Sequence, residues 1–384
     1  MATEVRSSVT EDVVASIIEV LSQKFLGKSV SLGEAGGTAA AGASVSVSAQ
    51  PKAADLIAEV TSFPVNKEVC ENEIWEVKLG ATKEEGGTRA KTYTVGGHNC
   101  MPFQLFEGKM PNRPLLAMEV FDEVSDKYPE ILREVYGDLV NDPAAMAAAC
   151  VEKYGADMIS VRLDATHPEK GNRSPQQSVD LVGEVLKAVD VPLIVTGTSH
   201  FDSNNEVFKA IAQSFEGENL LLNWVEQDNY RTIAGAAMAY GHSLVSQAPI
   251  DVNISKQMAI LLTNMGLPQN RIIMDPLSSS IGYGVEYTYS VMERIRLTGL
   301  GGDQMLCAPM IVTAGFESAK CKEFKAPEAD YPLWGDVKKR SAMWELTTAM
   351  TLLQAGGDIL VMYHPEAAKV AKNAIFEMLD QQNA

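Results

Sequence analysis

Eight short apolar runs alternate along this chain with stretches of helical period, and few folds satisfy that pattern. The runs cover residues 115–121, 158–163, 193–198, 220–225, 243–248, 272–277, 305–312 and 359–363. They are too short for buried helices, and turn-forming or charged residues bound them, so they read as buried strands. Helical stretches fall between them, at 144–154, 177–188, 206–214, 230–240, 254–264, 287–297 and 341–353. Parallel strands need such crossovers, and eight βα units over about 270 residues fit a closed (β/α)8 TIM barrel better than an open sheet. The expected class is therefore α/β.

Chemistry in such barrels sits at the C-terminal ends of the strands, so the residues ending each run are the candidates. In order they are Glu119 and Asp122, Asp164, the segment Thr196-Gly-Thr-Ser-His200, Asn223, Gln247 with Asp251 and Asn253, Asp275, and His364. Asn223 and Asp275 admit two readings. They resemble the amide and carboxylate that pterin-binding barrels aim at a ring's hydrogen-bonding edge, or they cap neighbouring βα turns. His98, His167, His200, His242 and His364 show no ligand spacing, so they read as structural and no dedicated metal centre is expected. After Asp275 comes Ser278-Ser-Ser-Ile-Gly-Tyr-Gly284, whose glycines let backbone approach a ligand, then a helix from Tyr287. The glycine-rich segment 298–302 follows a helix and precedes a strand, the wrong order for a phosphate cradle, and reads as a helix C-cap.

Ahead of the barrel, Thr10 caps a short amphipathic helix with Val13, Ile17, Leu21 and Phe25 on one face, and residues 33–50 form a small-residue linker. Alternation at 74–79 and 91–95 around Glu85-Gly-Gly87 predicts a β-hairpin that plugs or flanks the barrel's N-terminal end. The layout is thus helix and linker at 1–50, helix and hairpin at 51–97, and barrel at 98–384. A net charge of -18 and no basic run disfavour nucleic acid or an anionic membrane as partner. The five cysteines lie far apart with no C-x-x-C, so neither a zinc ribbon nor an iron–sulfur cluster is encoded. No signal peptide or long apolar span is evident, and a soluble cytoplasmic protein is expected. An Asp-x-His-x-x-Gly cobalamin motif and a Gly-x-Ser-x-Gly nucleophile elbow are both absent.

Four segments carry a resemblance: Lys78-Leu-Gly-Ala-Thr-Lys-Glu-Glu-Gly-Gly-Thr88, Thr94-Val-Gly-Gly97, Asp251-Val-Asn-Ile-Ser-Lys-Gln257, and Met274-Asp-Pro276 through Gly282-Tyr-Gly-Val-Glu-Tyr to Arg296. They resemble the small subunit of the corrinoid iron–sulfur protein, the delta subunit of the acetyl-CoA decarbonylase/synthase complex, over about residues 74–365. The resemblance implies a TIM barrel related to pterin-dependent methyltransferases. It also implies a partner, a large subunit carrying a [4Fe-4S] cluster and a mobile cobalamin domain, with the cobalamin shared between the two. That pair carries a methyl group between a methyl-tetrahydropterin methyltransferase and acetyl-CoA synthase, in the reductive acetyl-CoA pathway.

By position, Gly282, Tyr283 and Gly284 would approach the corrin edge, and Asn223, Asp251, Asn253 and Asp275 would bond its amide side chains. Tyr283 and Tyr287 read equally well as rim packing. The resemblance implies a shielding subunit without turnover of its own. Two other readings stay open, a pterin-dependent methyltransferase using Asn223 and Asp275, and an architectural subunit holding a larger complex together.

Overall fold

Each of the eight apolar runs contributes one strand in the computed structural model, which describes residues 66–125, 128–279 and 281–380. The N-terminal amphipathic helix and the linker at 33–50 lie outside the described residues. The barrel strands are β3 (Leu115–Phe121), β4 (Met158–Arg162), β5 (Leu193–Thr196), β6 (Leu221–Val225), β7 (Ser243–Gln247), β8 (Ile272–Asp275), β9 (Met310–Val312) and β10 (Gly357–Met362). They pair in sequence order, all in parallel, and β10 closes onto β3 with Leu360 opposite Leu116.

Helices return the chain outside the sheet. They are α1 (Glu130–Tyr136), α2 (Pro143–Glu152), α3 (Pro175–Ala188), α4 (Phe201–Ser214), α5 (Tyr230–Tyr240), α6 (Val252–Asn264), α7 (Val285–Leu300), α8 (Ala314–Lys320), α9 (Lys322–Lys325), α10 (Val337–Gln354) and α11 (Pro365–Asp380). Local chemistry sets where they begin. Ser174 and Gln177 form a capping box across the first turn of α3, with Pro175 at its first position, and Asp142 accepts from Ala145 N at α2. Just ahead of α11, Tyr363 N and His364 N donate to the buried carboxyl of Glu345 on α10, which burial pushes up to about 8.

Side chains alternate along each strand between two environments. Leu116, Met118, Ile159, Val161, Val195, Leu222, Leu244 and Leu360 pack outward against the helices. Leu115, Ala117, Met158, Ile194, Leu221, Val245, Ile273, Ile311, Ile359 and Val361 fill the interior. Two residues further along each strand direction the interior turns polar, and that change positions the site.

The predicted hairpin is present, with β1 (Val77–Leu79) antiparallel to β2 (Tyr93–Val95). Val77, Leu79 and Val95 are fully buried in the interior cluster, so the hairpin plugs the N-terminal end of the barrel. Backbone bonds seat it there, from Gly80 N to Asn219 O at 3.2 Å and from Trp75 N to Cys307 O at 2.7 Å. Gly96, at φ +87, lies so near Trp75 O that a Cβ would stand 2.0 Å from it.

One strand, β9, is less than half the length of its run. The run 305–312 is extended only at Met310–Val312, because Gln304–Leu306 forms a 3₁₀ turn capped by Asp303. Leu306, Cys307 and Ala308 are apolar because they are buried, not because they are strand.

Candidate functional site

The interior residues nearest the C-terminal end of the strands are Glu119 on β3, Ser160 and Arg162 on β4, Thr196 on β5, Asn223 on β6, Gln247 on β7 and Asp275 on β8. Thr313 and Tyr363 directly follow β9 and β10. Every strand therefore delivers a polar group to one layer, and all of them are buried.

The layer is hydrogen-bonded around most of its circumference. Glu119 accepts from Arg162 Nε at 2.7 Å, from the Tyr363 hydroxyl at 2.7 Å and from Ser160 Oγ at 2.8 Å. Ser160 Oγ lies 3.0 Å from Thr196 Oγ1, which accepts from Asn223 Nδ2 at 3.0 Å. On the other side Gln247 Nε2 donates to Asp275 at 2.9 Å, and Leu277 N donates to the second Asp275 oxygen at 2.8 Å. Asn223 Oδ1 lies between the two arcs, buried and with no hydrogen-bond partner among the described residues.

Burial governs the electrostatics. It opposes the Arg162 charge, but the adjoining Glu119 carboxylate more than offsets this and raises the guanidinium further above its usual range. Burial, reinforced by Glu119, likewise holds the Tyr363 phenol well above its ordinary value. Asp275 is pushed up to about 6 by burial, against the hydrogen bonds from Gln247 and Leu277 N that favour its ionised form. It is thus a carboxyl that takes up a proton just below neutrality.

Asn223, Gln247 and Asp275 share a cavity of about 320 Å³ with Arg162, Trp224 and Phe316. The Asn223–Trp224 peptide bond is cis, and the Trp224 indole donates to Glu226 at 2.8 Å. Arg162 lies 3.9 Å from the Phe316 ring centroid, and Lys320 Nζ is also 3.9 Å from it.

Of the sequence candidates, Asn223 and Asp275 line this cavity together with Gln247, Asp164, and Thr198 and Ser199 of the segment ending at His200. The capping reading holds in part for Asp275 through Leu277 N, while the Asn223 amide is spent on Thr196 instead. Asp251 is the N-cap of α6, accepting from Asn253 N at 2.7 Å and Ile254 N at 3.0 Å. Asn253 is exposed on the first turn of that helix. Gly282 is exposed, and a Cβ there would meet nothing nearer than Cys321 Sγ at 3.9 Å. Gly284 has φ +149 and precedes α7.

Tyr283 is 91% exposed and Tyr287 56% exposed, so among the described residues Tyr283 makes little packing at the rim while Tyr287 is partly covered. Asp122 serves the scaffold, accepting from Ala165 N at 3.1 Å beside Arg173, and burial pushes it up to about 6. His200 caps α4 through Ser203 N, and His242 bonds Leu220 N and Ala212 O. Although separated in sequence, the His167 and His200 rings meet edge to face at 5.6 Å.

Arg162, Trp224, Phe316, Glu317 and Lys320 were not candidates. Arg162 and Trp224 sit inside strand runs, where a large polar group in apolar sequence is the only signal. The other three belong to α8, too short to show a period. Among the described residues no group of three or more His, Cys, Asp or Glu side chains is placed to hold a metal ion, and no helix is long and apolar enough to cross a membrane.

Residues 76–366 match the model of the family described as CO dehydrogenase/acetyl-CoA synthase delta subunit. The chain is similar to the acetyl-CoA decarbonylase/synthase complex subunit delta of Archaeoglobus fulgidus, 36% identical over 315 residues that cover 81% of this chain and 69% of that protein. It is also similar to subunit delta 1 of that complex from Methanosarcina thermophila, 36% identical over 342 residues, 88% of this chain and 77% of the other. Among solved structures, a Yersinia pestis dihydropteroate synthase carrying a pterine-sulfa conjugate aligns with a TM-score of 0.47 at 14% identity, over 71% of this chain and 94% of that one.

Proposed function

Because the chain belongs to the CO dehydrogenase/acetyl-CoA synthase delta subunit family, we propose that it is the small subunit of a corrinoid iron–sulfur methyl carrier, closing its barrel mouth over a cobalamin shared with a large subunit. The iron–sulfur cluster belongs to that large subunit, and the methyltransferase and acetyl-CoA synthase are transient partners. The relatives' names place them in a multi-subunit complex, and we assign this chain the corresponding place.

The observation that carries the reading is the contrast within the mouth. Below, the Arg162 and Glu119 charges are paired and buried, and every strand end is engaged in the polar layer or lines the cavity. Above, Tyr283, Tyr287, Asn253 and Gly282 are exposed, Tyr283 almost fully. Such a surface suits a large, flat, amide-fringed group. Bound there, the corrinoid supplies a cobalt centre that accepts and releases a methyl group.

The residues of this chain act on its surroundings. Gly282 leaves room for close approach, Tyr283 offers a ring face and a hydroxyl, and Asn253 offers both amide functions. Asp251, already bonded to two backbone amides, retains acceptor capacity at the rim. Asn223 and Asp275 lie too deep for the edge of a large ring, so their part is to keep the floor polar, closed and free of a strong base. The mouth as a whole excludes water and oxidants.

The test is to reconstitute the full chain with a corrinoid-loaded large subunit and follow oxidation of the reduced corrinoid by its absorbance. We expect slower oxidation in the pair than in the large subunit alone. Equal rates with the barrel demonstrably bound would overturn the shielding role.

A second reading, a pterin-dependent methyltransferase, is favoured by one observation, the partnerless Asn223 Oδ1 beside Asp275 in a cavity sized for a small heterocycle. Methyl transfer from methyl-tetrahydropterin to free cobalamin by the isolated chain would establish it. An architectural role alone would instead leave both corrinoid content and methyl-transfer rate unchanged when the barrel is withheld.

A further inference from the structure

Beside the polar floor the mouth has a second lobe of about 640 Å³. That size is within the range of small-molecule pockets, about 300–1,000 Å³. None of the residues assigned above to the corrinoid lines it. Its wall is aromatic: Phe121 meets Tyr128 edge to face at 5.4 Å and Tyr363 at 5.5 Å, and Phe316 stands beside Tyr363 at 6.5 Å. Its rim is cationic, with Lys170, Lys320 and Lys325. In a chain of net charge -18 that convergence of amines is out of character.

The lysines are not consumed by the scaffold. Lys170 and Lys320 each lie 2.7 Å from one carboxylate, Asp164 and Glu317, yet their side chains remain 47% and 53% exposed. An ammonium has three donors, so each keeps capacity for a further anion. Lys325 is exposed and makes no ion pair among the described residues. Along the lining, three lysines stand against the two carboxylates Glu123 and Asp164. Aromatic faces favour a flat ring, and lysine point charges favour carboxylate or phosphate oxygens.

We propose that this lobe binds an aromatic ring joined to an anionic group. Asp164, Lys170, Phe316 and Lys320 line both lobes, so a ligand held here is continuous with the polar floor. The proposal rests on the barrel-mouth reading only for the two sources of such a group. One is the aminobenzoyl-glutamate portion of a tetrahydropterin methyl donor. The other is the benzimidazole nucleotide of the corrinoid.

Calorimetric titration of the full chain with p-aminobenzoyl-glutamate and, separately, α-ribazole 5′-phosphate tests it without any corrinoid-loaded partner. Failure here therefore leaves the shielding role standing, and failure of shielding leaves the lobe standing. We expect one probe to bind more tightly than inorganic phosphate, and Lys320→Gln and Lys325→Gln each to weaken it by about three- to tenfold. Lys325→Arg, which keeps the charge, should retain most of the affinity. Binding of the benzoyl-glutamate assigns the lobe to the methyl donor, and binding of the ribazole phosphate assigns it to the corrinoid nucleotide. Binding of neither probe, or affinity indifferent to both lysine substitutions, overturns the proposal.

Discussion

Asp275 is a buried carboxylic acid on the floor of the cavity, and its proton is linked to folding. Its folded value of about 6 exceeds the ordinary carboxylate value of about 4, so the folded chain keeps a proton that the unfolded chain loses as pH rises between them. The stability Asp275 contributes is full below about pH 4, falls through that window and is level above it. Asp275→Asn removes the linkage while Gln247 turns its amide to present oxygen. Comparing the variant with the wild type by chemical denaturation, we expect the difference to move in the variant's favour by on the order of 2–3 kcal/mol between pH 4 and 6.5. A difference flat across that window would show that Asp275 is not proton-linked. Asn223 and Asp275 were legible from sequence because each is the polar residue near the C-terminal end of a buried run, where interior parity and the active face coincide. Arg162 and Tyr363 were not, since the polar residue just beyond each run, Asp164 or His364, was read in their place.

At the level of elements, the barrel divides its interior between two devices. The hairpin stoppers the N-terminal end with Leu79, Val77 and Val95, and strand ends furnish the polar layer at the other. Leu79 is fully buried against the interior, so Leu79→Ala should cost about 2–5 kcal/mol of stability in chemical denaturation. A loss below about 1 kcal/mol would show that the plug is not packed as described. Strand and helix order were legible because eight alternations of apolar run and helical period leave little choice of topology. What the sequence hid were short pieces: α8 and α9 run for seven and four residues, too few to display a face. They bring Phe316, Glu317, Lys320 and Lys325 to the mouth, which explains why the second lobe was invisible before the fold.

Over the whole molecule, polarity is graded along the barrel axis. An apolar plug gives way to an apolar interior, then to a ring of paired polar groups, then to an exposed rim at Asn253, Gly282, Tyr283 and Tyr287. That gradient supports the proposal that the C-terminal face is a wall over a bound group. Amide hydrogen exchange of the full chain, with and without a corrinoid-loaded large subunit, tests this most directly. We predict slowed exchange in the loops after β6, β7 and β8, at residues 226–229, 248–251 and 277–284, with the hairpin at 77–95 unchanged. Protection of the hairpin face with those three loops unaltered would contradict the account.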